Sequence, residues 1–443
     1  MGTALIMVGL LVFLAHFFSV LFRRSKVPDV LLLMLIGIVI GPVLGLVGTD
    51  DLGKVGSVFT SVTLVVILFE GGLDISIDNL RSSWKLTLNL AMVSFFISSL
   101  LCTLIGVIFG MPFSQSLTLG FILGGTSSAV VIPLTRMLKI GTQTKTALVL
   151  ESALTDVFCI VFALALMEAT LMGDGLNIGN IVGSVISSFV MSILIGCIAA
   201  LLWASMLRRI RTIQNSMFLT PAFLFVVYGV CEVLNFSGAI ASLAVGITIT
   251  NIDYFKFPFL QKIHKNESPV QLNDRERGFI SEIAFFLKTF FFVFIGISIP
   301  FNNIGNILVG IVITMVLFIM RMFVAKFFSP ATSNTFDRSV IGLMIPKGLA
   351  AAVLASLPEQ MGIPYGLEIK EITYSVVFVS ILFASLCVLM IEKYPKVAFS
   401  MRTFFGTNKS KGAAISVIRE QPEENKTTEQ KENIPSDEFE QYN

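Results

Sequence analysis

Charge is scarce in this sequence: Asp, Glu, Lys and Arg make up 14% of its 443 residues, where a soluble domain carries about 25%. With 55% hydrophobic residues, 40 of them Phe, there is too little polar surface to cover a water-soluble globule, and the chain reads as an integral membrane protein. Histidine occurs twice, too rarely for an imidazole-based metal or catalytic cluster. The five cysteines, Cys102, Cys159, Cys197, Cys231 and Cys387, each fall inside an apolar stretch. None has the paired spacing of a disulfide framework or zinc site, so they read as small core residues. No Walker loop, dinucleotide fingerprint or Gly-x-Ser-x-Gly elbow is present, which leaves ATP-driven pumping and enzyme chemistry without support. No enzyme activity and no cofactor are therefore expected. The net charge of +2, with its bases scattered among short loops, excludes nucleic acid as a partner.

What is present is a series of apolar stretches of about 20 residues separated by polar or Gly/Pro breaks. They predict an all-α polytopic protein with 13 transmembrane spans at 3–22, 28–47, 54–75, 86–109, 115–136, 145–170, 179–205, 217–235, 236–252, 279–300, 304–326, 338–357 and 371–392. The first lacks a basic n-region and a small-residue cleavage site and is kept as a span, not a removable signal. With the N-terminus outside, the cytoplasmic loops hold eighteen bases, from Arg23, Arg24 and Lys26 to Lys326 and Arg338, against Lys54 and Lys370 in the outer loops. That asymmetry follows the positive-inside rule and places the C-terminus in the cytoplasm of a cell-membrane protein. Residues 1–395 form the transmembrane domain, and 396–443, rich in Gly, Ser, Asn, Gln, Glu and Lys, reads as a disordered cytoplasmic tail.

A weak internal echo runs at an offset of 221 to 225 residues. Phe69-Glu70-Gly71 in span 3 resembles Phe294-Ile295-Gly296 in span 10, and Gly125-Thr126-Ser127-Ser128 in span 5 falls opposite Pro346-Lys347-Gly348 in span 12. Seven spans separate each pair, so the halves would be inverted repeats, with interrupted spans 5 and 12 as the pointer to a transport site.

An ionisable group at bilayer depth costs roughly 2.5 to 3.5 kcal/mol on insertion scales and needs a partner. Span 6 holds two, in Glu151-Ser152-Ala153-Leu154-Thr155-Asp156. Glu151, Ser152, Thr155 and Asp156 cover an arc of about 140° on one side of a helix. Two carboxylates and two hydroxyls make a hard oxygen site suited to an alkali cation. In span 5, Gly124 to Ser128 followed by Pro133 weakens helical hydrogen bonding, and Thr126 and Ser127 could offer oxygens there. The same small residues would also serve a close helix approach. Lys288 in span 10, Arg321 in span 11 and Lys347 in span 12 are intramembrane bases, with Glu70 in span 3 the natural acidic partner of Arg321 or Lys347. For these four, a static ion pair and a direct part in transport are equally open. His16, Glu168, Glu232 and Glu282 lie near span ends, where side chains reach the interface.

These motifs resemble the monovalent cation/proton antiporters, and within them the electroneutral sodium/proton branch, over roughly residues 1–395. Glu151-Ser152-Ala153-Leu154-Thr155-Asp156 resembles that branch's Glu-Ser-x-x-Asn-Asp, Leu68-Phe69-Glu70-Gly71-Gly72-Leu73 its helix 3 signature, and Ile345-Pro346-Lys347-Gly348-Leu349 its helix 12 base followed by Gly. The resemblance implies a homodimer whose core domain contains crossed, discontinuous helices 5 and 12 and moves by alternating access. It also implies a monovalent cation held by Asp156, Glu151, Ser152 and Thr126. Thr155 stands where the branch has Asn, Ser127 where many members have Asp, and Lys347 where Arg is more common.

From the residues alone, a proton and a cation can each neutralise Asp156, and competition at a site open alternately to either side is exchange. With Thr155 instead of a second Asp, one proton per cation and no net charge movement are expected, with Glu151 orienting the site. The ligand types leave Na+, the leading candidate, alongside K+ and Li+. A potassium/proton antiporter, a passive cation channel and a non-transporting scaffold are the competing readings.

Overall fold

The computed structural model describes residues 9–393 apart from 11, 19, 21–27, 48, 76, 139, 172–177, 213–215, 235, 256–270, 300, 302 and 330–332. The tail predicted for 396–443 and the loop bases Arg23, Arg24, Lys26, Lys139, Lys256, Lys262 and Lys265 lie outside the described residues.

The described chain is all-helical. Helical residues between 9 and 20 precede α1 (Asp29–Ile38), which runs into a π-helical turn, Val39–Val43, containing Pro42. Then follow α2 (Thr49–Leu73), α3 (Ile77–Ile108), α4 (Phe113–Ile122), α5 (Ser128–Met137), α6 (Thr142–Leu171), α7 (Ile178–Ile210), α8 (Leu219–Val233) and α9 (Gly238–Thr250). The chain continues with α10 (Asp274–Ile297), α11 (Ile304–Phe328), α12 (Thr335–Leu343), α13 (Leu349–Gln360) and α14 (Gly366–Lys393). Seven described helices are long and apolar enough to cross a membrane.

The interruptions have local causes. α4 ends at Ile122, just before Gly124-Gly125, whose backbone freedom disfavours helix, and α5 begins only at Ser128. Between α12 and α13 stands Pro346, which lacks an N–H and pushes the preceding residue out of the helical region. Backbone groups freed at bilayer depth must find partners. Here the second break and α14 supply them: Ser127 N donates to Pro346 O at 2.7 Å, while Lys347 N donates to Ser380 Oγ of α14 at 2.9 Å.

Among the described residues two large apolar cores hold the helices, with a small third one, Val66, Ala284 and Leu287, between α2 and α10. One, containing Phe95, Ile122, Val130, Ile160, Phe291, Leu343 and Val376, joins α3 to α6 with α10 to α14. The other, containing Phe69, Trp203, Val227 and Val245, joins α2 with α7, α8 and α9. Around Phe95 the rings of Phe96, Phe121, Phe158 and Phe162 lie with centroids 5.3 to 6.1 Å away or from one another, seating α3 against α4 and α6 beside the first break. At Arg211, just after α7, a two-pronged pair with Glu276 (2.8 and 2.7 Å) joins the end of α7 to the capping box that starts α10. That carboxylate holds the guanidinium above its ordinary pKa.

Candidate functional site

α6 presents its polar residues to different surroundings. Glu151 is fully buried and takes both prongs of Arg321 from α11, with Nη2 donating to Oε2 at 2.7 Å and Nη1 to Oε1. Arg321, 1% exposed, gives two of its remaining donors to Ser94 Oγ (2.7 Å) of α3 and Ile341 O (3.0 Å) of α12. Ser152 is also buried, its hydroxyl donating back to Val149 O at 2.9 Å. Thr155 Oγ1 donates to Ser152 O at 3.2 Å and accepts from Thr126 N at 3.2 Å, so the first break is seated on α6. One turn further on, Gly125 N donates to Cys159 Sγ at 3.0 Å.

Asp156 has other company. It is partly exposed to a cavity of about 370 Å³, and its Oδ2 accepts from Ser128 Oγ at 2.7 Å. Among the described residues no base forms an ion pair with it. The cavity is also lined by Ser127, Ser128, Leu349, Asp29, Glu70, Asp74 and Lys288, so four carboxylates face one ammonium. Asp29 Oδ1 accepts from Val30 N at 3.0 Å at the start of α1. Glu70 accepts from Lys288 Nζ at 2.5 Å and from Ser281 Oγ at 3.0 Å. The hydroxyl of Ser127, 2% exposed, has no hydrogen-bond partner among the described residues.

Lys347 is buried behind the cavity and donates from Nζ to Gly125 O at 2.7 Å. It thereby puts a positive charge on a carbonyl that the first break leaves without a helical partner. The next residue must be glycine: a Cβ on Gly348 would lie 2.0 Å from Ser127 Oγ, which the touching breaks do not allow.

Two expectations are corrected here. Glu70 is the partner of Lys288, not of Arg321 or Lys347, because it lies on α2 across the cavity from α10, whereas Arg321 is enclosed by α3, α6 and α12. The four oxygen-bearing side chains of span 6 do not share one face of a cavity. Glu151 and Ser152 turn into protein, and Asp156 alone of the four lines the cavity.

The sodium/hydrogen exchanger transmembrane family matches residues 9–391. The chain belongs to this family. As an exchanger it is a multi-pass membrane protein that transports a cation against protons, and a transporter rather than an enzyme. The Na+/H+–K+ antiporter GerN of Bacillus cereus is 27% identical over 368 residues, covering 81% of this chain and 88% of its own. The K+/H+ antiporter subunit KhtU of Bacillus subtilis (strain 168) is 24% identical over 393 residues, covering 86% and 89%. The fold is similar to that of the sodium proton antiporter MjNhaP1 from Methanocaldococcus jannaschii, with a TM-score of 0.69 at 17% identity over 87% of this chain and 99% of that one.

Some residues of the candidate site carry little signal in the sequence. Ser128 belongs to the run that marks span 5, but nothing in the run says which hydroxyl meets Asp156. Ser94 and Cys159 carried no signal beyond being small and polar or sulfur-bearing inside apolar spans. Asp29 and Asp74, at span ends, could have been weighed as acids guarding an entrance.

Proposed function

We propose that this exchanger carries a monovalent cation, Na+ first, against H+ at one to one, both competing for the carboxylate of Asp156. The observation that carries the reading is the contrast on α6: Asp156 lines the cavity and is held by a neutral hydroxyl, while Glu151 is already neutralised by Arg321. A carboxylate at this depth without a paired base needs a proton or a cation. Ser128 on the carboxylate and Ser127 on the same cavity wall offer oxygens, the ligand type of alkali ions, while Thr126 and Thr155 bond to each other just behind them. Glu151, Arg321 and Lys347 orient the breaks, and Lys288 with Glu70 sits on the cavity wall. Since one carboxylate trades one proton for one univalent cation, turnover moves no net charge. Potassium is the second reading, favoured by the likeness to KhtU, named a K+/H+ antiporter subunit, and to GerN, whose name includes K+.

The proposal extends to a homodimer working by alternating access, with the N-terminus outside and the C-terminus in the cytoplasm. Thirteen spans are supported by counting α4 with α5 and α12 with α13 as single interrupted spans and the helical residues between 9 and 20 as another. In that orientation Asp29, Asp74 and Ser281 stand at cytoplasmic span ends, so the cavity opens inward.

The test is pH-gradient dissipation by Na+, K+ and Li+ in vesicles, with and without a voltage clamp. Wild-type rates unaffected by the clamp and loss of all cation-dependent pH change in Asp156→Asn are expected. Full activity of that variant would remove Asp156 from the mechanism, and a clamp-sensitive current would favour a channel.

A further inference from the structure

The described residues include one deeply buried carboxylate that neither the cavity nor the Arg321 cluster uses. Asp337, in the first turn of α12, is 2% exposed. Its Oδ2 accepts from Thr144 Oγ1 at 2.9 Å and from Gly141 N at 3.2 Å. Gly141 is the residue before α6, and its carbonyl accepts the first-turn N–H of Lys145 at 2.9 Å. A side chain of α12 therefore caps the start of α6, while Asn334 Oδ1, accepting from Asp337 N at 2.8 Å, caps α12 itself. Two positive helix ends converge on one negative charge, which is the arrangement that stabilises a carboxylate away from water. The seat is fitted: a Cβ on Gly141 would come within 2.9 Å of Oδ2, and Thr144 Oγ1 is fixed on its other side by Ser333 Oγ at 2.9 Å.

The joint so gripped is the link between α5, which begins with Ser128, and α6, which carries Asp156. The same interrupted segment grips the far end of α5, where Pro346 O takes the N–H of Ser127. α12 and its break thus hold the α5–α6 pair at both ends. The separation between Ser128 and Asp156 depends on both grips.

We infer that Asp337 is a positioning residue for exchange, setting the register of α6 against the first break and so the geometry of the cation's oxygens; this rests on Asp156 being the exchange site. The test uses the full chain in vesicles with three variants that disturb the seat differently. Asp337→Asn removes the charge, Thr144→Val removes a donor, and Gly141→Ala presses on the carboxylate without changing any polar group. Each raises the apparent KM for the cation about tenfold while maximal rate per folded molecule stays within about twofold, the signature of altered ligand geometry. Combining Asp337→Asn with Thr144→Val adds little to either alone, because both act through one contact. Cation-induced rise in melting temperature shrinks in parallel. A wild-type KM in Thr144→Val and Gly141→Ala overturns the inference, even if Asp337→Asn fails to fold; so does a loss of transport that only follows the loss of folded protein. With Asp156→Asn inactive, such a result rejects the grip and leaves the exchange site standing, whereas an active Asp156→Asn rejects the reading beneath both.

Discussion

Glu151 and Asp156 are five residues apart on one helix, chemically almost the same, and live in opposite conditions. Glu151 is dry and paired: a guanidinium takes both oxygens and is itself held by Ser94 and Ile341. Around Asp156 there is a cavity, a hydroxyl, and a second ion pair, Lys288 with Glu70, that is itself part-wetted at 27% and 17% exposure. A fixed counter-ion makes a carboxylate a strut; its absence beside water makes the carboxylate exchangeable. Two carboxylates on the same helix thus meet a fixed counter-ion or an open cavity according to which face the neighbouring helices cover.

That comparison sets an order of stability losses. Glu151→Gln leaves a buried guanidinium unpaired and should cost about 3–5 kcal/mol in thermal or denaturant unfolding. Replacing both partners, Glu151→Gln with Arg321→Met, should recover most of that loss, since an uncompensated charge and not the missing pair is what destabilises. Lys347→Met orphans Gly125 O behind the cavity and should cost about 1–3 kcal/mol, with the cation KM raised as the first break loosens. Glu70→Gln, beside a part-hydrated lysine, should cost about 0–1 kcal/mol. If Glu70→Gln proved as destabilising as Glu151→Gln, the division into a dry strut and a wet wall would be wrong.

Local chemistry was readable in the residues; long-range pairing was not. The breaks fall where Gly124-Gly125 and Pro346 put them, and α6 carries its acids inside a span as hydropathy requires. Hydropathy says that a helix lies in the membrane, but not which of its faces meets a neighbour and which a cavity. Helical spacing groups Glu151, Ser152, Thr155 and Asp156, although Arg321 of α11 claims the first of them. Arg321 meets Glu151 across 170 positions and Lys288 meets Glu70 across 218, and charge alone gave no reason to prefer those pairs over Glu70 with Arg321. Ser128 was in view but unranked, because four adjacent small residues leave the choice of ligand to backbone torsions that only the fold fixes.

The most direct measurement of competition at Asp156 is proton release on cation binding, followed in weakly buffered detergent solution for the wild type and for Asp156→Asn. The account predicts about one proton released per cation bound by the wild type at a pH where the site is protonated, and none from Asp156→Asn. Equal release from both proteins would contradict it.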